Sequence, residues 1–217
     1  MGMPTENLTS SWPSALRTCL TEPDWWADEL QGLHVIRGLT ELALPARPPG
    51  YRAEPGTRSP RWDWPGHALV HRTATVHHGV SLFGPVLIGP GCEIGPNASL
   101  FGPTVVQSNA YVGPGAEIRR ALLLDGAEIS HMSFVGHSVI GRNVRLGAFF
   151  CSAVRNPRRG TVHVMRRAGI LVDTGEERLG CVIADGTETG VHTTVMPGRR
   201  LVASPVIAPQ SVIMKNC

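Results

Sequence analysis

An aliphatic residue recurs at every sixth position through the middle of the chain, and this spacing limits the possible folds more than any other feature. The positions are Val76, Leu82, Ile88, Ile94, Leu100, Val106, Val112, Ile118 and Leu124. An amphipathic α-helix repeats about every 3.6 residues and a half-buried strand about every second residue, so neither produces this spacing. Turn pairs such as Gly89-Pro90 and Gly113-Pro114 lie between the aliphatic positions, which indicates short strands with a corner after each.

A hexapeptide repeat is a signature of parallel β-helices, in which each short strand stacks on the strand one coil earlier and the aliphatic side chain points inward. Three hexapeptides form one coil. The alternative is a β-sandwich, which would need longer strands of alternating polar and apolar residues with a turn about every 8 to 12 residues. We therefore predict an all-β fold built as a parallel β-helix.

The repeat also indicates an arm that leaves the β-helix. The period shifts by one residue near Ile129, continues at Val135, and shifts again to Ile140 and Leu146. It is interrupted at about 149–181 and resumes at Ile183, Thr189, Val195, Leu201, Ile207 and Ile213. Loops that project from a rigid scaffold often carry binding residues, so the arm at about 149–181 is a candidate part of the site.

The N-terminal part of the chain lacks the repeat. We assign residues 1–66 to an N-terminal extension with a proline- and arginine-rich connector, and residues 67–217 to the β-helix domain. Thr21–Asp24 predicts the start of one helix in the extension. Its apolar residues are Trp25, Trp26, Leu30 and Leu33, and the tryptophans are expected to pack onto the main body.

Composition limits the kinds of binding partner and the cellular compartment to be expected for this protein. The net charge is +3 and Lys215 is the sole lysine, but no basic run is interleaved with aromatic residues, so nucleic acid is not an expected partner. Five scattered cysteines without a close pair indicate neither a disulfide framework nor a zinc site, and fit a reducing compartment. No export signal and no long apolar run are present, which predicts a cytoplasmic protein without a membrane partner.

Several segments together carry a family resemblance. They are Ser130-His131-Met132-Ser133-Phe134-Val135-Gly136, Ser138-Val139-Ile140-Gly141, Val172-Asp173-Thr174-Gly175, Ile183-Ala184-Asp185-Gly186, Thr189-Gly190 and Met196-Pro197-Gly198. In order and spacing they resemble the C-terminal acetyltransferase half of bifunctional glucosamine-1-phosphate acetyltransferase/N-acetylglucosamine-1-phosphate uridyltransferase, and archaeal sugar-phosphate nucleotidyltransferases with such a tail. The resemblance covers about residues 76–217.

The resemblance implies a left-handed parallel β-helix, a homotrimer, and acyl coenzyme A (acyl-CoA) bound between subunits. The implied activity is that of an acyl-CoA:amine N-acyltransferase, most simply an acetyltransferase. Acyl-CoA is then a cosubstrate, with no tightly bound cofactor and no metal. The glycine-rich nucleotide-binding loop of the family's other half is missing from this sequence, so no nucleotidyltransferase activity is expected.

The catalytic residues follow from the same resemblance. His131 matches the general base, which takes a proton from the acceptor amine; an imidazole with a pKa of about 6.5 suits that task near neutral pH. Glu117 matches a residue that could orient the imidazole ring. The backbone N–H of Ala148 matches the oxyanion-hole donor that polarises the thioester carbonyl.

The acceptor site departs from the family pattern. Arg119 stands at the position of a lysine that contacts a sugar phosphate, and Phe134 replaces a tyrosine. Arg145 and Val154 replace two asparagines, and Phe149 replaces a glycine. Losing hydrogen-bonding groups weakens selection for a sugar, so we expect an acceptor other than glucosamine 1-phosphate, such as another amino sugar or an amine intermediate of secondary metabolism.

The coenzyme A site is expected to use arginine for the phosphate groups. Candidate residues are Ala148, Arg166, Arg167, Gly190, Arg199 and Ala208.

Three alternatives remain open at this stage. The chain is a catalytically silent trimeric scaffold or binding module, because the asparagine matching Val154 is absent. Or it is a zinc enzyme like the carbonic anhydrases of this fold, with His77 and His78 as ligands. A covalent route through Cys151 is a further variant, although no base stands beside it in the motif and a packing role is favoured.

Overall fold

The computed structural model describes residues 12–42, 44, 48–56, 67–166, 169–202 and 206–217. Two α-helices, α1 (Ser14–Thr21) and α2 (Gln31–Thr40), flank a short 3-10 helix at Trp25–Ala27. The prediction of one helix that begins at Thr21–Asp24 is wrong. Thr21 is the last residue of α1, and a separate 3-10 helix begins at Trp25. Among the described residues, no helix has the length and apolar character needed to cross a membrane.

Three parallel sheets form the body, and we name them sheets I, II and III in the order in which the chain visits them. Sheet I contains β1 (Tyr51–Pro55), β2 (His67–His71), β5 (Val86–Ile88), β8 (Thr104–Val106), β11 (Leu122–Leu123), β14 (Val139–Ile140), β19 (Val182–Ile183) and β22 (Arg200–Leu201). Sheet II contains β3 (Thr75–Val76), β6 (Glu93–Ile94), β9 (Tyr111–Val112), β12 (Glu128–Ile129), β15 (Arg145–Leu146), β20 (Glu188–Thr189) and β23 (Val206–Ile207). Sheet III contains β4 (Ser81–Phe83), β7 (Ser99–Phe101), β10 (Glu117–Arg119), β13 (Phe134–Gly136), β16 (Cys151–Ser152), β21 (Thr194–Val195) and β24 (Val212–Ile213).

Each inner strand of a sheet pairs with the strand one coil earlier and one coil later, as β12 does with β9 and β15. The pairing is parallel throughout the three sheets except between β1 and β2. The predicted all-β parallel β-helix is therefore confirmed, and its architecture is consistent with a left-handed helix. In the Pro/Arg-rich connector, Tyr51–Pro55 is an edge strand antiparallel to β2, which the sequence did not indicate.

The repeated aliphatic residues fill the interior, since Ile94, Val112 and Ile129 are fully buried in one stack. One predicted position is wrong. Leu123 points into the interior, whereas Leu124 belongs to the outer cluster beneath the N-terminal helices. The shift of the repeat therefore lies before Leu123.

The N-terminal helices cover the outer face of sheet I. Leu33, Ile36 and Leu39 pack in one cluster with the outward residues Leu122 and Val139. Trp25 is buried there and donates a hydrogen bond from Nε1 to Asp185, at 3.1 Å. The prediction that the tryptophan packs onto the body is confirmed for Trp25.

The arm leaves at the corner between sheets III and I. Cys151–Ser152 still pairs within sheet III and Val182 is already in sheet I, so the excursion is narrower than the predicted 149–181. Within it, β17 (His163–Met165) and β18 (Leu171–Asp173) form an antiparallel hairpin. The Leu179 N–H donates to the Val154 carbonyl at 3.1 Å and joins the two ends of the arm.

Candidate active site

His131 lies at the corner between sheets II and III, after β12 and before β13. Its side chain is exposed, and its carbonyl accepts a hydrogen bond from the Phe149 N–H one coil later, at 3.2 Å. Gly113 lies one coil earlier, where an added Cβ would come within 2.6 Å of the His131 nitrogen. The coils are thus packed so closely at this point that Gly113 must lack a side chain for His131 to keep its place.

Two further rings join His131 at this corner. The rings of His131 and Phe149 meet edge to face, with centroids 5.7 Å apart and an interplanar angle of 79°. The rings of Phe149 and His192 are stacked, with centroids 4.7 Å apart and an interplanar angle of 4°. His192 was not singled out from the sequence, because the arm separates it from Phe149 along the chain.

Ala148 also lies at this corner. Register places it directly above His131, because Glu128 pairs with Arg145 in the strands that precede the two residues. Its carbonyl accepts a hydrogen bond from the His192 N–H at 2.8 Å. Gly190 and Ala208 occupy the same corner in the next two coils. These three candidates for coenzyme A binding therefore follow His131 along one edge.

Glu117 and Arg119 lie on the outer face of sheet III. The Arg119 Nε donates to Glu117 Oε1, and the Arg119 guanidinium lies 3.8 Å from the centroid of the Phe101 ring. Phe101 in turn stacks on Phe83, with centroids 4.5 Å apart. In the described part of the chain the His131 ring has no hydrogen bond with Glu117. The orienting role predicted for Glu117 therefore stays a prediction.

Phe134 and Val154 both lie close to Gly136, on the same outer face. A Cβ added at Gly136 would lie 2.7 Å from Phe134 Cζ and 2.9 Å from Val154 Cγ1. Phe134 is the strand neighbour of Glu117 on one side and of Cys151 on the other. The two apolar replacements noted in the sequence thus form one apolar surface beside the ion pair of Glu117 and Arg119.

Arg145 is placed on sheet II, not with Phe134. Its guanidinium lies 3.5 Å from carboxylate oxygens of both Glu128 and Glu188, the residues beside it in the neighbouring coils. All three side chains are at least half exposed, so this ladder adds little to stability. Within one chain, Arg145 and Phe134 face different sides of the corner that holds His131.

The predicted coenzyme A residues do not all come together in one chain. Arg166 forms an ion pair with Glu29 at 3.2 Å, and Arg199 precedes β22, so both lie toward the corner between sheets III and I. Arg167 lies outside the described residues. Arg199 lines a small pocket together with His137 and Leu33, and its Nε is buried without a hydrogen-bond partner among the described residues.

The surroundings of Cys151 and His77 bear on two alternatives, the covalent route through Cys151 and the zinc enzyme. Burial raises the pKa of the Cys151 thiol, which disfavours a thiolate nucleophile. His77 Nε2 lies at hydrogen-bonding distance from Glu93 Oε1, at 2.9 Å. Across the described ranges, no group of three His, Cys, Asp or Glu side chains is arranged to hold a metal ion within one chain.

Comparison with known proteins finds similarity between the repeat region and proteins named as nucleotidylyltransferases and acetyltransferases. Residues 82–155 match the family model described as the GMPPB C-terminal domain. A bifunctional sugar-1-phosphate nucleotidylyltransferase/acetyltransferase from Sulfurisphaera tokodaii is 31% identical over 152 residues, 70% of this chain and 37% of that protein. A putative uncharacterized acetyltransferase, YaiX, from Escherichia coli is 28% identical over 151 residues, 70% of this chain and 65% of that protein.

A bifunctional protein GlmU from Methanococcus maripaludis is 31% identical over 102 residues, 47% of this chain and 23% of that protein. The chain thus spans less than two thirds of the length of each of these relatives. The predicted resemblance to the acetyltransferase half of such bifunctional proteins is confirmed.

Two solved structures that align with this chain have low similarity to it. A putative acetyltransferase from Bacillus cereus is 16% identical with a TM-score of 0.37, over 68% of this chain and 72% of that chain. A mutant of AntD, an N-acyltransferase from Bacillus cereus in complex with dTDP and coenzyme A, is 12% identical with a TM-score of 0.35, over 69% of this chain and 72% of that chain. At these TM-scores the structural similarity carries no functional argument.

Proposed function

We propose that this protein, a parallel β-helix that resembles the hexapeptide-repeat acyltransferases, transfers an acyl group from acyl-CoA to the amine of a small acceptor. The observation that carries the proposal is the edge formed by His131, Ala148, Gly190 and Ala208. A base and the predicted oxyanion donor lie there one coil apart. The acetyltransferase names of the relatives support the same class of reaction.

In the proposed reaction the neutral acceptor amine attacks the thioester carbonyl, and the Ala148 N–H stabilises the oxyanion that forms. The imidazole of His131 accepts the proton that the amine nitrogen loses as the C–N bond forms. The C–S bond then breaks, and the His131 imidazolium gives that proton to the leaving thiolate of coenzyme A. Direct transfer agrees with the raised pKa of Cys151, which lacks the character of a covalent nucleophile.

The acceptor is proposed to carry an apolar part and a negatively charged group. Phe134 and Val154 offer apolar surface, and the guanidinium of Arg119 lies on the same sheet face, next to Glu117. This surface lacks the tyrosine hydroxyl and the asparagine amide expected of a site for glucosamine 1-phosphate. An amino sugar with a reduced number of hydroxyl groups, or an amine from secondary metabolism, fits it better.

The complete site is proposed to form between subunits of a homotrimer, with acyl-CoA as cosubstrate. Arg145 on sheet II and Phe134 on sheet III face apart within one chain, and Arg166 and Arg199 lie toward a different corner from His131. A cleft between two copies would let one copy's sheet II face the other copy's sheet III. That arrangement would bring the predicted acceptor and coenzyme A residues into one site.

The first experiment is a thiol-release assay with acetyl-CoA and longer acyl-CoA donors against a panel of amines. We expect the His131→Ala variant to lose about a hundredfold or more in kcat/KM while it keeps its fold. His34→Ala, at an exposed histidine of α2, is the matched control and should keep full activity. Full activity of His131→Ala would exclude His131 as the base.

A silent scaffold is the second candidate, favoured by Val154 in the place of the family asparagine. It predicts a folded protein that binds no coenzyme A in calorimetry and releases no thiol with any pair of substrates. The zinc alternative is tested by metal analysis of the purified protein, and a stoichiometric zinc content would favour it.

A further inference from the structure

The turn residues at the corner of His131 differ in type from those at the corner between sheets I and II. Each coil has one residue with positive φ at this corner, and these residues are Gly79, Asn97, Gly115, Met132, Phe149, His192 and Gln210. At the corner between sheets I and II the corresponding residues are Gly91, Asn109, Gly126, Asn143 and Gly186. Glycine and asparagine adopt this conformation at the lowest cost.

The departure begins at Met132, the residue after His131, and it continues through Phe149 (φ 59°) and His192 (φ 58°). Bulky side chains kept in an unfavourable backbone conformation point to a function for those side chains. The Met132 side chain packs against Gly115 in the preceding coil, where an added Cβ would lie 2.7 Å from the Met132 sulfur. Phe149 and His192 instead contact one another and His131.

The ring of Phe149 is fixed on two sides. Its face is stacked on the His192 ring, and it meets the His131 ring edge to face. The Phe149 N–H also donates a hydrogen bond to the His131 carbonyl, so the backbone fixes the distance between the two residues. Within the described residues no hydrogen bond fixes the imidazole of His131, which is exposed. The ring of Phe149 is the aromatic neighbour that restricts the space open to the His131 side chain.

We propose that Phe149 is a positioning residue for the His131 imidazole, and that His192 holds the Phe149 ring in place by stacking. The inference rests on the proposed function of His131 as the base. A base that visits several rotamers is in the reactive geometry for only part of the time, and loss of position costs rate even when binding is kept. The stack is thus a support for the base, built from the two coils that follow it.

The decisive variant is Phe149→Asn, because asparagine suits a positive φ and a purely structural role predicts an equal or higher Tm. We expect kcat to fall about tenfold or more with the Kd for acyl-CoA unchanged. Gln210→Asn makes the matched change at the same corner in the last coil, and should leave kcat unchanged.

Replacing His192 separates stacking from acid–base chemistry. His192→Phe keeps a ring against Phe149 and should keep nearly wild-type kcat, whereas His192→Asn should show the same kind of loss as Phe149→Asn. If His192→Phe is as inactive as His192→Asn, His192 itself transfers protons and the positioning role is overturned.

A readout that does not require activity is the ring-proton NMR spectrum of His131, assigned by comparison with His131→Ala. In the wild type we expect these protons to show a ring-current shift from Phe149, lost in Phe149→Asn. Absence of that shift in the wild type overturns the proposal whatever the activity. A wild type that shows the shift but releases no thiol with any substrate pair overturns the function proposed for His131 and leaves the ring contact intact.

Two kinetic results also overturn the positioning role while the acyltransferase function stands. One is a Phe149→Asn variant with wild-type kcat in a preparation where His131→Ala is inactive. The other is a Phe149→Asn variant that loses affinity for acyl-CoA with kcat unchanged at saturation, which would make Phe149 a donor-contacting residue.

Discussion

His137 is a buried histidine at the corner between sheets III and I, away from the corner of His131. His137 is 7% exposed, and its carbonyl accepts a hydrogen bond from the Gly180 N–H at 2.9 Å. Burial lowers the pKa of its imidazole to about 4, and the positive charges of Arg120, Arg178 and Arg119 add to the effect. The folded protein therefore keeps His137 neutral at pH values where an unfolded chain would protonate it.

This pKa predicts a loss of stability in acid. Between the unfolded value of about 6.5 and the folded value of about 4, the unfolded chain binds more protons, so the free energy of unfolding falls as the pH falls through that window. His137→Asn suits the positive φ of 47° and removes the titrating group. We expect urea unfolding from pH 7 to pH 4 to show a smaller fall for the variant than for the wild type, by up to about 3 kcal/mol. Equal falls in both proteins would contradict the role of His137.

At the scale of elements, the N-terminal helices are attached to the β-helix by a polar group as well as by their apolar face. The guanidinium of Arg142 donates to Asp185 at 3.0 Å and to the Cys19 and Leu20 carbonyls at 2.6 and 2.9 Å. Trp25 donates to the other oxygen of Asp185. The end of α1 and the 3-10 helix are therefore fixed to the same corner turn of the β-helix.

Asp185→Ala should release this attachment. It leaves a partly buried guanidinium without its carboxylate and an indole N–H without an acceptor, which costs about 2 to 4 kcal/mol. We expect faster tryptic cleavage after Arg17 and a lower midpoint in urea, with β-helix circular dichroism retained. Glu188→Ala, at an exposed acidic residue of the next strand, is the control and should change the midpoint little.

At the scale of the whole molecule, the outer faces of the three sheets differ. Sheet I is covered by the helices, whereas sheets II and III carry the candidate site and several exposed apolar side chains of the last coil. These are Val206, Val212 and Met214, which are 69%, 59% and 60% exposed. Exposed apolar groups beside a site that is split between two faces are what a subunit interface would use.

The proposed homotrimer predicts a sedimenting mass three times the chain mass of 23.3 kDa. Val206→Asp combined with Val212→Asp should shift the protein toward the monomer and lower acyltransferase activity, because each monomer would carry only part of the site. Analytical ultracentrifugation with a parallel thiol-release assay measures both. A fully active monomer would contradict a site shared between subunits.

Much of the molecule follows from the sequence because the repeat is local. Each hexapeptide specifies which residue points inward and where the next corner begins, so the β-helix and the approximate place of the arm could be predicted. The general-base role of His131 could be predicted from the family resemblance, because each matching segment is short enough to lie within a single coil. Phe134 and Val154 could be named from the sequence as replacements, whereas the close approach of both side chains to Gly136 is seen only in the structure.

Tertiary structure decided what depends on contacts between distant parts of the chain. The repeat shows a shift near Ile129, but only packing under the N-terminal helices decides that Leu123 points inward and Leu124 outward. The arm interrupts the count of coils, so the stacking of His192 on Phe149 cannot be obtained from spacing. The choice of Arg119 as the partner of Glu117, and the placement of Arg166 beside Glu29, depend on side-chain geometry that no local pattern encodes. The six-residue repeat specifies the backbone of each coil. The contacts of the outward side chains form only after the coils have stacked.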